Sequence, residues 1–339
     1  MASAVVMAGY QNKREVKRYS KIVAENYGET FIETGYKPLR EFRVEDGGVS
    51  VSKPLVQFTL ELLLKIDNVK DIIVVGHQML LEQRLGEFFK TSAKPIKVVN
   101  QNQKLAGQIA KQYNIEKKHV KFNSLAGNMI KGYAETDAAK TSEHALFVAS
   151  DSPLTKIDFV RRFIELSSVF LDEYAVIVPA VLIGDDKMGR KPLRLKNDSG
   201  YPVKHSYTDA YGRYGFRLSS VLFGNPTRFD INTVNTAYNL RKFLNPKVQI
   251  RLFSITRSLG FANVYSKYFL RKDLSIRDCE QITSQFFRGP LKLIPMEGEE
   301  STYDYDGTDK EFRFIKQMLA KQAVSDHPIS ANSELKRTS

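Results

Sequence analysis

Strand-like and helix-like segments alternate through the first half of this chain, and that order is what most limits its fold. Ala4-Val5-Val6-Met7-Ala8-Gly9 is a short apolar run closed by a glycine, the form of a strand buried on both faces. Between 54 and 66, Leu55, Phe58, Leu62 and Ile66 recur at helical spacing and make one apolar stripe. Further strands are predicted at 71–75, 96–99, 145–149 and 175–182, with helices at 78–89, 125–134 and 156–170 between them. Such an order yields an α/β fold, a mostly parallel central sheet with helices on both faces.

With 339 residues, 42% of them hydrophobic, the chain can bury a real core. It has no uninterrupted apolar run of the roughly 18 residues that a membrane-spanning helix needs. The opening residues carry no basic cluster and run straight into a strand, so no secretory leader is expected. A single cysteine, Cys279, excludes an internal disulfide and fits a reducing cytoplasm, the expected location. It falls on a predicted helix and reads as a small buried hydrophobe. His77, His119, His144, His205 and His327 lack metal-ligand spacing, and neither a Gly-x-Ser-x-Gly elbow nor a P-loop occurs.

Lys and Arg number 51 against 38 Asp and Glu, a net charge of +13. Between Lys187 and Lys272 there are 17 basic residues and three acids, Asp198, Asp209 and Asp230, so this one segment carries the whole surplus. A concentrated positive field attracts phosphate-rich partners, and charge alone does not rank nucleotide, nucleic acid or anionic membrane; a solvated basic surface is the plain alternative. Within it, 248–272 interleaves Phe253, Phe261, Tyr265, Tyr268 and Phe269 with Arg251, Arg257, Lys267, Arg271 and Lys272. That pattern suits an anionic membrane or stacked bases, although a core helix pair with basic ends is the commoner outcome.

After Gly184 the composition turns polar and basic as far as Gly215, the mark of a long loop or hairpin. A strand near 217–223 follows, then a helix from Asp230 to about 244. Ser275-Ile276-Arg277-Asp278 has the form of a capping box for another helix. A strand at 291–294 and a helix at 310–319 close the fold, and the polar tail beyond Ser325 is expected to fray. The expected layout is a nucleotide-binding α/β core at 1–184, basic acceptor-side loops and a mainly helical insertion at 185–290, closing core elements at 291–323, and a tail at 324–339.

In open parallel sheets the ligand crevice lies at the carboxyl ends of the strands. Ala8-Gly9 ends the first strand, where a glycine lets the backbone approach a phosphate. Asp151 follows the 145–149 strand in Ala149-Ser150-Asp151-Ser152-Pro153. A Mg²⁺ ion takes one or two carboxylates and fills its other positions with water and phosphate oxygens, a task that suits Asp151. The plain alternative makes Asp151 a turn or cap residue before Pro153.

Several pieces occur in one order: Lys37-Pro38-Leu39, Lys53-Pro54-Leu55 opening a helix, the 71–75 strand, Ser124-Leu125-Ala126-Gly127-Asn128 opening another, the Asp151 strand, and Tyr303-Asp304-Tyr305-Asp306-Gly307-Thr308-Asp309 before the last helix. This order resembles the nucleotidyltransferases of the Rossmann-like GT-A fold, in the branch of molybdenum cofactor guanylyltransferase and the sugar-phosphate cytidylyl- and uridylyltransferases. The resemblance implies that Asp151 and Asp306 hold Mg²⁺, that Lys37 binds phosphate, and that Ala8, Gly9 and Asn128 contact the nucleotide. The opening loop, Gly9-Tyr10-Gln11-Asn12-Lys13-Arg14, departs from the family's glycine-rich form, and Lys13 or Arg14 would replace part of its charge. Asp230-Ile231-Asn232-Thr233 also looks like the closing motif, but Asp230 reads well as a helix N-cap.

The activity implied is Mg²⁺-dependent transfer of NMP from an NTP to a phosphorylated acceptor such as a sugar or polyol phosphate, releasing pyrophosphate. The partners are then an NTP and that acceptor, with anionic membrane as a peripheral contact through 187–272 and nucleic acid ranked behind it. A non-catalytic relative that binds nucleic acid or membrane is the alternative, and a GT-A-type glycosyltransferase a further one.

Overall fold

The computed structural model describes residues 1–9, 36–46, 49–117, 124–184, 188–189, 191–203, 208–240, 254, 257–258, 260–261, 263–305 and 307–326. A nine-stranded sheet forms its centre. Strand β1 (Ala2–Ala8) lies between parallel β4 (Val69–Gly76) and β6 (Ala145–Ala149), with Val5 opposite Ile73 on one side and Phe147 on the other. Strand β5 (Ile96–Asn100) extends the parallel run beyond β4. Because successive side chains of a strand point to opposite faces, Ala4, Val6 and Ala8 enter one core and Val5 the other. The expected α/β fold with helices on both faces is the fold found.

One core is covered by helices α1 (Leu55–Leu64), α2 (Gln78–Thr91) and a third at Ile157–Ser168, through Val56, Leu60, Leu81 and Phe163. The other takes α3 (Leu125–Tyr133), whose Ala126, Met129 and Ile130 are buried. Ser124 caps α3 by accepting from the Gly127 amide at 2.9 Å. Gly132 lets this helix lie close on the sheet, because a Cβ there would run into Val5 and Val75.

The second half of the sheet is mixed. Strand β7 (Val176–Leu182) is followed by β8 (Leu193–Leu195), β9 (Tyr214–Leu218) and β10 (Val221–Gly224), and β11 (Leu291–Met296) pairs parallel to β7. Strand β10 runs antiparallel to both β6 and β7 and separates them. Thus the stretch to about Gly215, read from sequence as a long loop or hairpin, gives the main sheet the antiparallel pair β8–β9. The single strand expected near 217–223 is two, broken at Ser219-Ser220.

A separate antiparallel hairpin, β2 (Glu41–Asp46) with β3 (Val49–Pro54), has no counterpart in the sequence reading. Only Phe42 and Val44 mark β2 as apolar, and both pack in a third core with Tyr303, Tyr305 and Ile315. Two strands alone are marginal in water, so this hairpin depends on its cover from the last helix, Asp309–Asp326. The capping box at Ser275 and Asp278 is present on the helix Ile276–Phe287. The helix after Asp230 spans Thr233–Leu240; its expected continuation to 244, and the tail from 327, lie outside the described residues.

Candidate functional site

Register places the ends of four parallel strands on one edge: Ala8 pairs with Gly76, Gly76 with Asn100, and Met7 with Ala149. Gly9, His77, Gln101 and Ser150-Asp151 therefore leave the sheet together. Tyr36, 1% exposed, ties two of these ends, since its hydroxyl donates to the Ala8 carbonyl and accepts from the His77 amide at 3.0 Å. Gly76 has no room for a Cβ because the same phenol and the Ala8 carbonyl occupy it.

The chain turns after Tyr36 through a short 3-10 turn, Lys37–Leu39, with Pro38 buried. This turn brings Lys37 across to β6, and Lys37 Nζ lies 2.7 Å from Asp151 Oδ2 with the two side chains 16% and 25% exposed. A charge-assisted bond of this length, partly shielded from water, is stronger than an open surface pair. Asp151 Oδ1 has no hydrogen-bond partner among the described residues. From the other side the Tyr305 amide donates to the Asp151 carbonyl at 2.8 Å. The next residue, Asp306, lies outside the described residues.

At the same edge Gly9 meets Asn128 and Gln101. A Cβ on Gly9 would stand 2.8 Å from Asn128 Nδ2 and 2.8 Å from Gln101 Oε1. Asn128 is 5% exposed, and its Oδ1 is buried with no hydrogen-bond partner among the described residues. A buried acceptor left unpaired costs free energy, so this oxygen is suited to a donor brought by a ligand. The start of α3 is otherwise closed, because the Ala126 amide donates to Asn235 Oδ1 and the Gly127 amide to Ser124 Oγ. What α3 offers the crevice is therefore the Asn128 side chain rather than its first amides.

Gln101 is fully buried; its amide donates to the Gly76 carbonyl at 2.8 Å and its carbonyl accepts from Lys131 Nζ at 2.5 Å. Burial of Lys131 disfavours its ammonium form and pulls its pKa from 10.5 to about 8. Below that value Lys131 is charged in folded and unfolded chains alike, and burying the charge costs stability. As pH rises from about 8 towards 10.5 the folded chain gives up the proton before the unfolded one, so stability rises through this window. Lys131→Met should lack that rise, and wild type should gain about 1–3 kcal/mol relative to it across the window, read from urea midpoints at each pH.

Of the residues marked by sequence, Ala8, Gly9, Lys37, Asn128 and Asp151 stand at one edge of the sheet. Asp230 and Asn232 are used elsewhere: Asp230 accepts from the Asn232 amide at 3.1 Å, and Asn232 bonds the Asn114 carbonyl and the Glu116 amide. Tyr36, Gln101 and Lys131 join the site without a mark in the sequence reading, although Gln101 follows a strand and the carboxyl-end rule applies to it equally. Among the described residues no three His, Cys, Asp or Glu side chains converge as a metal-ligand set. His144 Nε2 lies 2.8 Å from the Tyr174 carbonyl, and burial lowers its pKa. Cys279 packs against the second core, and burial pushes its thiol up to about 12.

Sheet order and the placing of Gly9, Asn128, Lys37 and Asp151 at the carboxyl ends of the parallel strands define a Rossmann-like α/β protein with a polar edge there. Among solved structures it overlaps a hypothetical transferase from Thermus thermophilus over 92% of this chain and 99% of that one, with a TM-score of 0.54 and 16% identity. Looser overlaps link it to 4-diphosphocytidyl-2C-methyl-D-erythritol synthase of Anaerococcus prevotii (TM-score 0.45, 14% identity, 94% and 98% covered) and to CMP:2-keto-3-deoxy-manno-octonic acid synthetase in complex with CTP (TM-score 0.48, 11% identity, 95% and 100% covered). At such identities the shared property is the fold, and the last two overlaps are too loose to carry an argument. No protein-family model and no curated protein matches the sequence.

Proposed function

We propose that this protein is a nucleotidyltransferase that moves a nucleoside monophosphate from an NTP to a phosphorylated small-molecule acceptor. In that reaction an acceptor phosphate oxygen attacks the α-phosphorus, the bond to the β-phosphate oxygen breaks, and pyrophosphate leaves. The observation that carries the reading is the Lys37–Asp151 pair, 2.7 Å apart at the carboxyl edge where Gly9 also stands. Lys37 would offset the negative charge that gathers on the phosphates, and Gly9, having no side chain, would let a phosphate approach the backbone at the strand end. Asn128 Oδ1, buried and without a partner among the described residues, would accept from a hydroxyl or amino group of the nucleoside.

A divalent cation fits this donor set in part. Asp151 presents a half-shielded carboxylate with Oδ1 unengaged among the described residues, and Mg²⁺ asks for one or two carboxylates beside phosphate oxygens and water. Bound there, the ion would polarise the α-phosphate. Asp306 remains the proposed second ligand, on the resemblance of its motif alone. The acceptor would enter beside the start of β9, which reaches the same edge because β9 runs antiparallel to β7.

The test is a thermal shift with each of the four NTPs and Mg²⁺, followed by pyrophosphate assay against sugar, polyol and aminoalcohol phosphates. Stabilisation by one NTP is expected, since a ligand that binds only the folded state raises its melting temperature. Release of a nucleoside diphosphate from a nucleotide-sugar instead would make the protein a glycosyltransferase, and indifference to every nucleotide would end the reading.

A further inference from the structure

Between Asp230 and Asp273 the chain carries eight Lys and Arg and no Asp or Glu. Near the end of this run, the turn Ser266–Arg271 closes with Lys272 in the left-handed region at φ 54°. It presents two large apolar side chains side by side to solvent, Phe269 at 54% and Leu270 at 79% exposure. Lys267 pairs with Asp278 at 2.6 Å and Arg271 with Asp273 at 2.7 Å, which holds the turn against the body of the protein. Lys272 Nζ stands 4.1 Å from the centre of the Tyr211 ring, itself 56% exposed. The 208–213 turn and the 266–272 turn therefore form one patch.

The patch also has a defined position. Phe216 pairs with Leu182 and β9 runs antiparallel to β7, so the residues preceding β9 lie at the carboxyl edge of the sheet. This is the edge on which Gly9 and Asp151 stand.

We propose that this patch docks the protein on an anionic lipid bilayer. Phe and Leu side chains gain by entering the boundary between headgroups and acyl chains, a tyrosine settles at headgroup level, and Lys272, over the Tyr211 ring and outside the ion pairs of the patch, meets lipid phosphate. Either signal alone binds weakly, and here both occur together. The contact is peripheral, because no helix among the described residues is long and apolar enough to cross a membrane. A nucleic acid fits less well. Base stacking needs an open ring face, whereas Tyr265 already stacks on Phe269 at 5.9 Å and Tyr268 meets it edge-on at 4.9 Å, and Leu270 has no ring to offer.

The chain contains no tryptophan, so Phe269→Trp installs a single reporter at the tip of the patch. Its emission should shift to the blue and be quenched by brominated acyl chains on vesicles of phosphatidylcholine mixed with phosphatidylserine, and not on phosphatidylcholine alone. In co-sedimentation with the mixed vesicles, the double change Phe269→Ser and Leu270→Ser should cut partitioning roughly tenfold, and Leu270→Ser alone, which removes no ring contact, should weaken it with the melting temperature unchanged because that side chain is 79% exposed. Absence of partitioning by the wild type, or equal partitioning by the double variant, overturns the proposal. So does retention on a polynucleotide, lost in the same variant, without binding to vesicles.

Discussion

Asp151→Asn should lower pyrophosphate release by roughly 10²–10³-fold while moving the urea midpoint only slightly. The carboxylate sits at the carboxyl edge with one oxygen on Lys37 and the other unengaged among the described residues, a quarter of the side chain still exposed. Asparagine keeps the shape and the backbone bond from Tyr305, but removes the charge that would hold a cation and orient Lys37. Lys37→Met should fail to a similar degree, since the transferring phosphates lose the ammonium that offsets their charge. The two changes together should cost little more than either one, because residues that act as a unit are strongly non-additive. Folding should lose only about 1 kcal/mol in either change, the upper end of what exposed ion pairs contribute, because this pair is partly shielded. Full activity in Asp151→Asn would remove this aspartate from the chemistry.

The second large effect is expected at glycines, and two of them should behave in opposite ways. In Gly9→Ala the new methyl would press on the ends of Asn128 and Gln101, each 2.8 Å from its ideal position. Side-chain ends can yield, so stability should change little, but Asn128 and Gln101 are pushed from their places against Gly9 and the Asn128 oxygen is displaced. Stabilisation by the NTP should fall at least about tenfold in apparent affinity, measured by thermal shift across NTP concentration. In Gly132→Ala the methyl would instead strike the Val5 and Val75 side chains inside the core. Branched side chains in a packed interior have nowhere to move, and overpacking of this kind costs about 1–3 kcal/mol in urea unfolding. A Gly9→Ala protein that still binds nucleotide normally would show that the contact of Gly9 with Asn128 is not part of the nucleotide seat.

Much of the edge is legible in the amino-acid order. Apolar runs such as Ala145–Ala149 are strands because both faces are buried, and residues directly after them, Gly9 and Asp151, must lie where parallel strands end. Ser275 and Asp278 announce their helix because a capping box uses only neighbours in sequence. The hairpin 41–54 leaves no such trace, since its apolar content is slight and its support comes from a helix more than 250 residues later. Tyr36 is equally silent. A tyrosine has no local mark that says its hydroxyl will bridge Ala8 and His77, two strand ends whose adjacency exists only once β1 pairs with β4.

By itself the sequence determined the alternation of strand and helix, the placing of Gly9, Lys37, Asn128 and Asp151 on segments that open or close elements, and the concentration of positive charge in one stretch. Tertiary structure alone decided that 221–224 enters the main sheet antiparallel between β6 and β7, that Gln101 and Asn128 close on Gly9, and that Phe269 and Leu270 stand in water. The physical reason is range. Periodicity and capping are set by residues a few positions apart, whereas sheet order, close approach and exposure are set by partners that only long-range packing selects.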